Sequence, residues 1–285
     1  MQPQDIHTGR APFNPSTQAT RPPLEVRHID GPSGAAPIVF LHEGLGSVSL
    51  WTQRGLDWPL ALCAATGRAG LVYSRQGYGQ SAPSPLIRPD ATLQGRPSGR
   101  LPPDYMQQEA WQVLPALLRA QGIDRPVLLG HSDGATIALL YASRYPVTGC
   151  IVMAPHVFVE EVALSSISAA TAAYENSTGQ TDGLRARLAR HHADVDGAFW
   201  QWNDVWLSKG FRSFDIRQDC ARITAPLLAI QGRQDEYGTL AQLDEISRAA
   251  PQTQQALLDD CGHSPQRDQP EQTLQVIADF LKTVA

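Results

Sequence analysis

Short, uninterrupted apolar runs bounded by glycine, proline or polar residues recur along this chain, and between them apolar positions return every three or four residues. The segment Leu24 to Ile29 alternates like a half-buried strand, and Gly31 to Gly34 turns it. The runs Ile38-Val39-Phe40-Leu41, Gly70-Leu71-Val72-Tyr73, Pro126-Val127-Leu128-Leu129, Cys150-Ile151-Val152-Met153, Pro226-Leu227-Leu228-Ala229-Ile230 and Ala256-Leu257-Leu258 read as buried strands. Helical spacing fills the gaps, over about Leu50 to Ala65, over Ala135 to Tyr145, from Thr239, and from about Pro270. A further helix starts at an N-cap, Asp104, and carries Met106, Trp111, Val113, Leu114, Leu117 and Leu118, with Pro115 as a blemish. The Pro- and Gly-rich passage from Gly77 to Pro103 reads as loop, and the polar, aperiodic residues 1–22 as a flexible arm. Strands alternating with helices imply an α/β chain with a mainly parallel central sheet covered on both faces. There is no internal repeat.

Composition narrows the function classes. The chain has 285 residues, 42% hydrophobic and 18% charged, enough to bury a full core in one domain. Its formal net charge is −5 and its Lys and Arg are scattered, so neither nucleic acid nor an anionic membrane is expected as a partner. No apolar run approaches the roughly 18 residues of a membrane span, and the start lacks the basic and apolar regions of a signal peptide, which predicts a cytoplasmic location. Cys63, Cys150, Cys220 and Cys261 show no metal-like spacing and are expected to be reduced and mostly buried.

Gly130-His131-Ser132-Asp133-Gly134 follows an apolar run and precedes a helical stretch. Glycines on either side of a serine at a strand-to-helix turn remove the side chains that would crowd it and leave its hydroxyl free to attack. Reacting groups in open parallel sheets sit on loops at the carboxyl ends of strands, and two such loops stand out, Gln231 to Tyr237 and Asp259 to Pro265. A serine hydroxyl is a poor nucleophile unless a neighbouring imidazole takes its proton, the part for His263, and that ring needs a carboxylate on its other nitrogen, the part for Asp235. Glu236, Asp259 and Asp260 are rivals for the acid. The order Ser132, Asp235, His263, each just past a strand, resembles the α/β-hydrolase fold family from about Leu24 to Ala285, and the family's G-x-x-D pattern after Gly232 favours Asp235.

That resemblance implies an oxyanion hole made by the backbone of Asp133 and of Gly44, the latter in His42-Glu43-Gly44-Leu45-Gly46-Ser47, similar to the family's H-G-x-x-G loop. Glu43 stands where the family has Gly. An ionised carboxylate facing the oxyanion would oppose catalysis, so Glu43 is expected to point away or to bond neighbouring backbone, with contact to substrate as the alternative. The carboxylate of Asp133 suits a helix N-terminus by the dipole alone. Ser74 to Ser81 resembles the family's D-x-x-G-x-G-x-S turn with Ser74 for Asp, and reads as structural; Arg75 within it is a candidate for a substrate carboxylate. A serine nucleophile disfavours the dehalogenase and epoxide-hydrolase chemistries of the fold, which use aspartate.

Between Met153 and Pro226 the resemblance places an inserted helical cap over 155–221, leaving 23–154 and 222–285 as the core. Phe199, Trp202 and Trp206 share one helix face, for core packing or for roofing Ser132. His156 lies at a strand end near the expected site; His191 and His192, being adjacent, cannot share a helix face to hold a metal. The reading is a serine hydrolase without cofactor or metal, cleaving a small carboxylic ester, thioester or related acyl bond, as a monomer or homodimer. A carbon–carbon bond hydrolase of aromatic catabolism and a non-hydrolytic ligand-binding member of the fold are its alternatives.

Overall fold

The computed structural model describes residues 23–32, 34–93, 96–177 and 179–284. The arm expected over 1–22 lies outside the described residues. Seven strands form one sheet: β1 (Val26–Ile29), β2 (Ile38–Leu41), β3 (Gly70–Tyr73), β4 (Val127–His131), β5 (Gly149–Met153), β6 (Leu227–Gly232) and β7 (Thr253–Leu258), in the spatial order β1-β3-β2-β4-β5-β6-β7. Only β1 runs antiparallel, against β3. Both faces of the sheet are covered, which is why the central strands are buried at every position and almost wholly apolar.

The pleat sends alternate residues to two cores. Val39, Leu41, Leu128, Cys150 and Val152 pack on one face with Leu114, Leu117 and Leu118 of α2 (Leu114–Ala120) and with α3 (Asp133–Ala142). Ile38, Phe40, Leu129, Ile151 and Met153 pack on the other with Leu62 of α1 (Trp58–Thr66), together with Ile277 and Phe280 of the closing helix Pro270–Lys282. All four cysteines are buried and unpaired, as expected.

Three boundaries differ from the sequence reading. Residues 52–57 are not helical; Ser49–Trp51 makes one 3₁₀ turn and Thr52–Gln53 pairs back on Leu56–Asp57. The tight turn between them puts Arg54 at φ 51° and Gly55 at φ 79°, and α1 starts only where the Asp57 carboxylate caps the Leu60 N–H and Pro59 fills the first turn. Part of the expected 77–103 loop pairs as a hairpin, Arg88–Leu93 with Arg96–Ser98, where prolines are tolerated because a two-stranded ribbon leaves outer N–H groups unused. The helix begun at Tyr105–Gln108 widens to a π turn over Glu109–Val113, and α2 then starts with Pro115 in its first turn. The extra residue lets a proline, which lacks the N–H of a helix interior, sit inside a continuous helical rod. Asp104 does sit at the start of that rod, but its carboxylate takes the side chain of Gln108 at 3.0 Å rather than a backbone N–H.

After β5 the chain leaves the sheet through α4 (Glu161–Asn176), α5 (Leu184–Ala189) and α6 (Val195–Trp206) before returning to β6. The Asp194 carboxylate caps α6 by accepting from the Gly197 N–H at 2.8 Å. Phe199 on α6 is fully buried and stacks on Tyr174 of α4, with ring centroids 3.7 Å apart. Among the described residues no helix is long and apolar enough to cross a membrane.

The β4–α3 turn leaves no room for a side chain at its flanking glycines: a Cβ on Gly130 would fall 2.2 Å from the Gly134 carbonyl oxygen, and one on Gly134 would fall 2.1 Å from the Leu41 carbonyl oxygen. Gly134→Ala is therefore expected to lower stability by about 2 kcal/mol or more, measured by urea unfolding, because backbone rather than a flexible side chain must give way. A change below ~0.5 kcal/mol would contradict this packing.

Candidate active site

Parallel strands end together at one edge of the sheet, and the loops that follow β2, β4, β6 and β7 meet there. Ser132, between β4 and α3, adopts φ 53° and ψ −118°, a conformation that L-residues reach only when the surroundings impose it. Its N–H is held by the Met153 carbonyl at 2.9 Å, and the sharp turn lifts the hydroxyl off the sheet edge. Ser132 Oγ lies 2.9 Å from His263 Nε2, and His263 Nδ1 lies 2.8 Å from Asp235 Oδ1. The three side chains expected to meet are thus brought together from loops 28 and 131 residues apart in the chain.

Each partner is fixed from behind. Asp235 accepts from the backbone N–H of Tyr237 at 2.8 Å and of Gly238 at 3.3 Å, and from the Gln231 amide at 3.0 Å. Burial works to raise its carboxyl pKa, but the hydrogen bond and charge of His263, with the Tyr237 N–H, outweigh it and hold the value at about 2. The loop bearing His263 presses on Gly232, where a Cβ would fall 2.1 Å from the Cys261 carbonyl oxygen. His131 Nε2 donates to the His263 carbonyl at 2.7 Å, so the residue before the serine also locates the histidine backbone. Of the rival acids, Glu236 accepts the His263 N–H at 3.1 Å and does not bond the ring; Asp259 pairs with Arg233 on the surface; Asp260 is exposed at φ 50°.

The loop after β2 is built from its carbonyls. The Glu43 carbonyl oxygen accepts from His42 Nδ1 at 2.7 Å, from Arg75 Nη2 at 2.9 Å and from the Gly46 N–H at 3.0 Å. A trans peptide points its C=O and N–H in opposite directions, so these donors turn the Gly44 N–H away from Arg75, and Gly44 lines the cavity together with Ser132. The N–H of Asp133, first residue of α3, has no intrahelical acceptor. Arg75 is buried, holds the Glu43 carbonyl and lies 3.7 Å from the Asp133 carboxylate; it is absent from the cavity wall, which corrects its candidacy as a substrate contact. Ser74 joins two loops by donating to Glu25 at 2.6 Å and accepting from the Val48 N–H at 2.8 Å.

Asp133 does more with its carboxylate than answer a helix dipole. Tyr105 OH donates to it at 2.6 Å, and the Trp206 indole N–H at 3.2 Å, tying α6 to the turn that carries Ser132. Trp202 lies over Gly44, where a Cβ would come within 2.2 Å of the indole nitrogen. Trp202 and Trp206 line a cavity of about 240 Å³ over Ser132, while Phe199 on the same face is core, so the stripe serves both expected ends. His156 lines it too, its ring 5.1 Å from Trp206 and 5.5 Å from His263. Tyr237 and Arg267 complete the wall; neither was marked by sequence, though both lie within four residues of a candidate.

Glu43 is among the residues that line the cavity, with Oε2 3.5 Å from His131 Nδ1 and the side chain 25% exposed. Gly46 makes the space, since a Cβ there would fall 2.5 Å from Glu43 Oε2. Burial pushes this carboxyl up, but the His131 side chain beside it, together with His42, more than offsets that and holds it at about 2, so it is ionised at neutral pH. No group of His, Cys, Asp and Glu able to hold a metal occurs among the described residues. His192 instead donates from Nε2 to the Leu45 carbonyl at 2.9 Å and accepts the Gly79 N–H at 3.0 Å, while His191 bonds Ser49 at 2.9 Å.

The sequence profile described as the Alpha/beta hydrolase family matches residues 38–276. A proline iminopeptidase of Heyndrickxia coagulans is 25% identical, over 92% of this chain and 96% of its own. An sn-1-specific diacylglycerol lipase, ABHD11, of Mus musculus is 26% identical over 91% and 85%. Among solved structures, the enol-lactonase from Burkholderia xenovorans LB400 superposes with a TM-score of 0.66 at 19% identity, covering 91% of this chain and 97% of that one, a likeness of fold.

Buried neutral histidines make the protein acid-sensitive. Burial is the main cause that lowers His156 to about 3, His192 to about 4 and His42 well below its ordinary value. Below about pH 6.5 the unfolded chain takes up protons at these rings and the folded chain does not, so stability falls with pH, by up to ~1.4 kcal/mol per pH unit for each ring. Urea unfolding at about pH 7 and pH 5 is expected to show a loss of several kcal/mol, reduced in His156→Gln. Equal stability at the two pH values would contradict burial of the neutral rings.

Proposed function

The chain belongs to the alpha/beta hydrolase family, and from that premise we propose that it is a serine hydrolase cleaving a small carboxylic ester or related acyl bond through an acyl-Ser132 intermediate. The observation that carries this reading is the unbroken hydrogen-bonded line from Ser132 Oγ through the His263 ring to Asp235, at 2.9 and 2.8 Å. Ser132 attacks the carbonyl carbon as His263 Nε2 takes its proton, and ionised Asp235 holds the ring in the tautomer that leaves Nε2 free and then stabilises the imidazolium. The negative charge that develops on the carbonyl oxygen is met by the N–H groups of Gly44 and Asp133, an arrangement of which one donor is typically worth ~3 to 4 kcal/mol. Collapse expels the alcohol, which leaves with the proton from His263. A water then loses a proton to the same ring, attacks the acyl carbon and releases the acid and free Ser132. No metal or organic cofactor enters these steps.

Residues 155–221 act as the cap in this reading, with Trp202, Trp206 and His156 bounding the acyl chamber. A cavity of about 240 Å³, with Trp202, Trp206, Ala163 and Ile167 as the apolar part of its wall, suits a short acyl group rather than a long chain. The relatives named above, an iminopeptidase, a lipase and a lactonase, all have names describing cleavage of an acyl bond, which favours this reading over a carbon–carbon hydrolase.

Treatment with an organophosphonate followed by peptide mapping is expected to place a single adduct on Ser132, and Ser132→Ala is expected to abolish release of p-nitrophenol from its butyrate ester. Asp235→Asn is expected to lower kcat by about three to four orders of magnitude with the fold intact by circular dichroism. An adduct on another residue, or near-normal turnover in Ser132→Ala, would overturn the assignment.

A further inference from the structure

Glu43 brings a negative charge to a place where hydrolysis itself will generate another. Glu43 directly precedes Gly44, the proposed oxyanion donor, and both residues line the same cavity as Ser132. The nearest ring does not answer the charge. His131 Nε2 donates to the His263 carbonyl at 2.7 Å, and its Nδ1 accepts from the Gln266 amide at 3.1 Å, so both ring nitrogens are engaged elsewhere and none donates to Glu43 at 3.5 Å. Among the described residues the one arginine or lysine on the cavity wall, Arg267, is already paired with Asp268 at 2.8 and 3.3 Å. Glu236 adds a second acid to the wall, and His156 is kept neutral by burial. The described cavity wall therefore carries surplus negative charge beside the nucleophile.

A carboxylate so placed opposes the oxyanion of a neutral substrate, whereas a cation bound against it would remove that opposition and anchor the substrate at once. We propose that the acyl compound cleaved at Ser132 carries a protonated amine a few bonds from the scissile carbonyl, and that Glu43 binds this ammonium group. The inference rests on the serine-hydrolase reading above. It selects amino-acyl esters or amides over neutral acyl groups, and both over carboxylate-bearing acyl groups, which the same charge repels. Glu43 thereby turns a cost in the free cavity into discrimination between substrates.

The test compares isosteric pairs at about pH 7: the methyl esters of 4-aminobutyrate against pentanoate and of β-alanine against butanoate, with acid release followed by titration. The amine ester of each pair is expected to have kcat/KM at least about tenfold higher. In E43Q this ratio is expected to fall to about one, from both sides, as the amine esters slow and the neutral esters speed up once the opposing charge is gone; E43D is expected to keep the preference. Should E43Q not fold, the wild-type enzyme is inhibited with butylammonium and with 1-butanol, and the ammonium is expected to bind at least about tenfold tighter, competitively. Equal kcat/KM within the wild-type pairs, or a ratio unchanged in E43Q, or equal inhibition by the two probes, would overturn the inference while organophosphonate labelling of Ser132 and hydrolysis of neutral esters leave the hydrolase reading standing. Failure of both labelling and ester hydrolysis would overturn that reading and the inference together.

Discussion

The constraint on which this architecture turns is the meeting of two backbones where β4 passes into α3. Gly134 lies so close to the Leu41 carbonyl, and Gly130 to that of Gly134, that neither admits a single carbon. This contact forces Ser132 into φ 53°. A conformation of that kind costs of order 1–3 kcal/mol and persists only where surrounding structure over-determines it. Here the surroundings are the most deeply buried strands of the sheet, β2, β4 and β5, whose side chains fill both cores. The sheet stabilises the turn, and the turn sets the position from which every other group in the cavity is measured.

From that point a buried polar network runs outward without leaving the site's own loops. The Asp133 carboxylate gathers Tyr105 and Trp206, with Arg75 nearby; Arg75 reaches on to the Glu43 carbonyl, which fixes the peptide ahead of Gly44. Hydrogen bonds in such a low-dielectric setting are strong when all are made and expensive when one is lost. Residues outside the wall of the cavity over Ser132, Arg75 and Tyr105 above all, consequently position those that line it.

Much of this was legible in the chain. The strands of the central sheet were, because full burial demands short apolar runs, and the placement of Ser132, Asp235 and His263 followed from where those runs end. The π turn was not: Pro115 announced a disturbance, but which way the helix would absorb it depends on packing of Glu109 against Tyr73. Residues 52–57 read as helix because Trp51, Trp58 and Leu62 share helical spacing, while the left-handed turn at Arg54 leaves no compositional mark. Glu43 shows the same limit at the site. Its identity as an unusual residue was plain from the loop, but its direction was set by the space at Gly46 and by rings from other loops. Arg75 stood as a candidate for a substrate carboxylate since burial of a side chain is a property of its neighbours.

One helix, α6, rests the indole of Trp202 on Gly44 and offers the N–H of Trp206 to Asp133. Anyone reshaping the chamber through these two tryptophans will change its walls and disturb the backbone donors in the same stroke. Ala163 and Ile167 on α4 line the same space with aliphatic carbon alone. Enlarging or narrowing the chamber from that side alters volume while leaving the amide groups where they stand, so α4 offers the separable handle on size and α6 does not.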